Sequence, residues 1–139
     1  MRSTIIRNLE NRFSAYADLI AQTDAPALEA TLAVEKHKSL KEHLWCLVGA
    51  RESYAKALAA NGWQGFACSM TSFTPADFTS ALASSSTEVM QAVQQIDGWT
   101  QAQEELLATL AEHEVMHEGQ IIRHLYALGK TPPSSWTWA

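Results

Sequence analysis

Two histidines four residues apart stand in the run His113-Glu114-Val115-Met116-His117-Glu118-Gly119-Gln120. On a helix that spacing stacks both rings on one face about a turn apart, where they can converge on one ion. Two chemistries use such a pair. Read as His-Glu-x-x-His, it is a zinc-protease motif with Glu114 as general base. Read without the glutamate, it is part of a metal centre inside a helical bundle, completed by a ligand from elsewhere. The protease reading fails on context. Its longer form wants Gly three and His six residues after the second histidine, whereas Gly119 and His124 follow His117 by two and seven. None of residues 119–139 is acidic, and no strand pattern is present to hold a peptide substrate.

The elements that position the pair are four amphipathic helices. Ser3 or Thr4 caps the first, which carries Ile5, Leu9, Phe13, Tyr16 and Ile20 on one stripe and runs to about Gln22. Residues 27–38 have too weak a periodicity to assign, and make a long connection. Ser39-Leu40-Lys41-Glu42 is a capping box opening a second helix to about Ala60, stopped at Asn61-Gly62. Residues 63–73 form a loop. Thr74-Pro75-Ala76-Asp77 starts the third helix, closed by Asp97-Gly98, with a poor helix former at each of Ser84, Ser85 and Ser86. Thr100-Gln101-Ala102-Gln103 opens the longest, to about Leu128, with Gly129 and Pro132-Pro133 beyond it. The aromatic tail Trp136-Thr137-Trp138 is expected to fold back over the bundle. The reading is a single all-α domain over residues 1–139, a four-helix bundle.

The second helix supplies the missing ligand. Its inward stripe reads Leu40, His43, Leu47, Ala50, Tyr54 and Ala57, a histidine set among apolar residues. The last helix turns Leu106, Leu110, His113, His117, Ile121 and Leu128 inward. Three core histidines are costly to desolvate without a shared partner, and a divalent metal is an economical one. Three protein ligands with no evident fourth is the open, catalytic pattern. Cys46, one turn after His43, reads as a small buried hydrophobe, although a thiolate there would suit zinc. His37, between Lys36 and Lys38, reads as solvated, and His124 as an ordinary surface histidine. Glu114 and Glu118 are the acid–base candidates, though Glu114 lies about 100° round the helix from His113.

The run His113-x-x-x-His117-Glu118-Gly119-Gln120-Ile121-Ile122, followed by Leu125-Tyr126-Ala127-Leu128-Gly129, Pro133 and Trp136, resembles the C-terminal signature of DinB-like proteins. Leu40 to Trp45 and Gly49-Ala50-Arg51-Glu52-Ser53-Tyr54 resemble that family's first-ligand region. The resemblance spans nearly the whole chain. It implies a four-helix bundle with a metal held by three histidines, which fall here on His43, His113 and His117. It also implies a homodimer and, from characterised relatives, thiol-dependent transferases or isomerases that use mycothiol or bacillithiol. Gly119 is then expected to admit a close neighbour, and Gln120 to anchor a backbone group or support a ligand.

Composition narrows the function further. A formal charge of −5 leaves no basic footprint for a nucleic-acid backbone. No apolar run reaches the roughly 18 residues that span a bilayer, and the N-terminus turns polar too soon for a signal peptide. Cys46 and Cys68 are too few for a disulfide framework and read as reduced, which makes a cytoplasmic setting the expectation. The expected function is a metal-dependent enzyme acting on a small molecule by thiol transfer or hydrolysis, with zinc first and nickel next as the metal, and a low-molecular-weight thiol as possible co-substrate. The alternative is a non-catalytic stress-response bundle whose metal is structural or incidental.

Overall fold

The computed structural model describes residues 1–139 and is entirely helical. Four long helices, α1 (Arg2–Ala21), α3 (Leu40–Ala60), α4 (Pro75–Gln94) and α5 (Gln101–Ala127), form the bundle, and a five-residue helix, α2 (Ala25–Glu29), lies in the connection after α1. None of them is long and apolar enough to cross a membrane.

Each boundary follows from local chemistry. Ser39 accepts from the Glu42 backbone while the Glu42 carboxylate accepts from the Ser39 N–H, and the same reciprocal pairing occurs at Thr74/Asp77 and Thr100/Gln103. Each such cap satisfies orphan helix donors and contributes about 1 kcal/mol. Asn61 ends α3 in the left-handed conformation (φ 54°). The serines of α4 do not break it: Ser86 and Thr87 bond back to the Leu82 and Ala83 carbonyls and the helix runs on to Gln94.

The core divides into two apolar clusters. One gathers Tyr16, Leu44, Leu47, Phe78, Ile121 and Leu125, and the other Leu9, Phe13, Leu58, Val89, Leu107 and Leu110. The tail closes over the first. Trp136 is buried, packs edge-on to Tyr16 at 5.5 Å and donates its indole N–H to the Ala15 carbonyl at 2.8 Å. Between the clusters the packing turns polar. Arg51 and Glu114, both fully buried, form a two-pronged ion pair (2.7 and 2.9 Å), with the Arg51 guanidinium also over the Phe13 ring.

That pair corrects the expected face of α5. The stripe turned to the core is Gln103, Leu107, Leu110, Glu114, His117, Glu118, Ile121 and Leu125, so Glu114 points inward rather than away. Leu106 and His113 sit at its edge, half-buried. Gly119 also departs from expectation. A Cβ built there meets nothing within 4 Å, so no neighbour packs against it. The glycine in close contact is Gly49, where an added Cβ would fall 2.4 Å from Phe66 and 3.0 Å from the Cys68 Cβ, which lets the 61–74 loop lie on α3.

Candidate metal centre

The site is built where α3 and α5 face each other. A helix spacing of three puts His43 and Cys46 on one side of α3, and a spacing of four pairs His113 with His117 on α5. The folded bundle brings all four together. Cys46 Sγ lies 3.6 Å from His113 Nε2, His113 Nε2 lies 3.2 Å from His117 Nε2, and His117 Nδ1 lies 2.8 Å from His43 Nδ1.

The sequence expectation joined three histidines, and the structure brings those three together while adding a thiol. The group whose donor atoms converge, all within 4.8 Å of one another, is Cys46, His113 and His117. His43 meets His117 through the nitrogen on the other side of that ring. The distances suit a tetrahedral ion. With Zn–N about 2.0–2.1 Å and Zn–S about 2.3 Å, tetrahedral edges come to about 3.3 Å between nitrogens and about 3.6 Å between nitrogen and sulfur. The observed 3.2 and 3.6 Å match both.

The electrostatics leave the ring nitrogens in their ligating form. Burial holds the imidazolium form of His43 down, to a pKa of about 4, with Lys38 adding to the effect. His117 falls to about 3 through burial and the neighbouring His113, and His113 is lowered by burial as well. All three rings are therefore neutral at pH 7, the form that ligates metals. Burial raises the Cys46 thiol, so its proton is retained until a cation displaces it. Nδ1 of His113 is buried with no hydrogen-bond partner, an unmet polar atom in a site already crowded with imidazole.

The two carboxylates expected as acid–base groups are engaged elsewhere. Glu114 is locked to Arg51, and its backbone carbonyl accepts from the Tyr16 hydroxyl at 2.7 Å. Glu118 is buried against Arg12 of α1. Gln120 is exposed and donates to the Met116 sulfur, so it neither anchors a backbone group nor supports a ligand.

Two histidines read as ordinary surface groups belong to the same region. His124 is buried, stacks on half-buried His37 at 4.8 Å, and shares a 2.7 Å Nε2–Nδ1 contact with it. A cleft of about 940 Å³ between residues 32–38 and α5 is lined by this pair together with His43 and His117. The missed signal was the cluster Lys36-His37-Lys38, which lies in the connection whose weak periodicity said nothing about where it packs.

No family model matches the chain, and no curated protein is significantly similar to it.

Proposed function

We propose that the chain is a metal-dependent enzyme acting on a small molecule, with Cys46, His113 and His117 as ligands and His43 as the group that orients His117. The observation that carries this reading is the convergence of one thiol and two imidazoles within 4.8 Å of one another, both contacts of His113 being at tetrahedral edge lengths, beside an open cleft. A divalent ion held there, zinc by the sulfur and nitrogen donor set, supplies Lewis acidity that acidifies a thiol or a water at the remaining position.

The chain's own residues account for the rest. The His117 ring donates its Nδ1 proton to His43 and so presents a bare Nε2, fixing the tautomer as outer hydrogen bonds do at metal histidines. The low-dielectric surroundings of Leu44, Leu47 and Ile121 sharpen every charge interaction in the site. Thiol transfer to an electrophile is the favoured reaction, and hydrolysis the simpler variant. The helical architecture and the paired α5 histidines support a DinB-like relationship, and with it a homodimer and a low-molecular-weight thiol as co-substrate.

One observation favours a second reading, a closed structural site. His43 is a further nitrogen donor 2.8 Å from a ligand ring, and would complete a four-ligand cage if the two rings turned so that it faced the ion together with His117. Cobalt substitution separates the two. In the open site, adding a small thiol such as 2-mercaptoethanol changes the sulfur-to-cobalt charge-transfer spectrum. A spectrum indifferent to thiol and to other small ligands assigns the closed cage, and absence of stoichiometric metal uptake overturns both.

A further inference from the structure

We propose that the cleft beside the histidines binds the anionic group of a small acidic molecule, held by Lys36, Lys38 and Arg123 with His124 as a buried polar contact. Calling that molecule the substrate rests on the metal-enzyme reading above; the anion site itself does not.

Charge is the first argument. The chain carries a net −5, yet the cleft lining holds Lys36, Lys38 and Arg123 against one carboxylate, Glu35. All four are exposed, and neither the lysines nor the arginine has an ion-pair partner. Three unpaired cations on an acidic protein, gathered around one concavity, focus a positive field there.

The second argument is a buried group without a partner. His124 lines the cleft and is 1% exposed; its Nδ1 is taken by His37, and its Nε2 has no hydrogen-bond partner. An unmet buried nitrogen is destabilising, and a ligand oxygen is one way to meet it. Third, Lys36 sits at φ 60°. A non-glycine residue in that region is strained and is sustained only where the surroundings impose it. Here the strained residue is one of the three cations facing the cleft.

The dimensions fit a small molecule. About 940 Å³ lies within the range of metabolite pockets, and His117 at its wall joins the cleft to the metal ligands. An anionic group anchored by the cations places the remainder of the molecule toward that ring.

The test uses the full-length, metal-free protein, followed by backbone amide resonances while inorganic phosphate, and separately succinate, is added at constant ionic strength. We expect saturable shifts confined to residues 34–38 and 120–124. The triple variant Lys36→Gln/Lys38→Gln/Arg123→Gln, all at exposed positions, should weaken binding roughly tenfold or more, and Glu35→Gln should tighten it. Saturation by neither anion, or unchanged affinity in the triple variant, overturns the proposal. The double variant Cys46→Ser/His113→Ala, which lacks two metal ligands, should bind both anions as the parent does. A failed metal reading therefore leaves this result standing.

Discussion

Nδ1 of His43 lies 2.8 Å from Nδ1 of His117, while Nε2 of His117 faces His113 at 3.2 Å. Two neutral imidazoles can share a hydrogen bond only if one nitrogen bears the proton. When His117 donates, its far nitrogen is a bare ligand; when His43 donates, that nitrogen carries a hydrogen and cannot ligate. A cation at the α5 pair would select the first arrangement, and His43 would then act on that cation through another residue.

The metal stoichiometry of single variants checks this. Cys46→Ser, His113→Ala and His117→Ala should each abolish tight zinc uptake. His43→Phe, which removes the acceptor and keeps the volume, should retain one zinc per chain with affinity lowered about 10- to 100-fold. Complete loss in His43→Phe, with uptake intact in Cys46→Ser, would instead make His43 a ligand and Cys46 a bystander.

Acid should unfold the metal-free protein early. His43 and His117 have folded pKa values of about 4 and 3, below the ordinary histidine value, so below about 6.5 the unfolded chain binds more protons than the folded one. Stability is fully present above that pH and falls as pH drops toward 4. The slope is at most about 1.4 kcal/mol per pH unit for each proton taken up. Urea titrations at pH 7.5 and 5 measure it. His117→Phe should flatten the dependence, whereas an unchanged slope in that variant would remove His117 as a cause.

The sequence made the bundle legible because its signals were local. The capping boxes at Ser39 and Thr100, the Thr74-Pro75 helix start and the left-handed stop at Asn61 lie within single helical turns, and each stands where the pattern put it. The pairing of His113 with His117 was likewise a matter of spacing along one helix. What escaped was set by tertiary packing. A rotation of the α5 core face by about one position turned Glu114 inward, and periodicity could not register it because a glutamate reads as solvent-facing until its arginine is known. Arg51 was hidden in the same way, sixty-three residues away on α3. Cys46 looked like a small hydrophobe until His113 lay 3.6 Å from its sulfur. The His37–His124 pair required knowing where an aperiodic connection crosses α5.

The buried ion pair should behave as a unit. Arg51→Met or Glu114→Leu alone strands a charge in a fully buried position and should cost about 3–5 kcal/mol. The double variant Arg51→Met/Glu114→Leu removes both charges and should recover most of that loss, because apolar replacements of a buried pair are often neutral or better. Denaturant midpoints across the cycle give the coupling. Additive single costs would show that the two residues contribute separately.

Gly119→Ala offers the opposite sign. The residue sits inside α5, its φ is not positive, and a methyl group there meets nothing within 4 Å. Alanine narrows the unfolded chain's freedom and has the better helix propensity, so the variant should be more stable by about 0.5–1 kcal/mol. Gly119 also lines the cleft beside His117, so the added methyl group narrows the space a ligand enters without touching a metal donor. Zinc stoichiometry should therefore be unchanged while affinity for a bulky small-molecule ligand falls. A Gly119→Ala protein that melts below the parent would mean that the glycine meets a close neighbour, such as a second copy of the chain, and size-exclusion analysis of the two proteins would then differ.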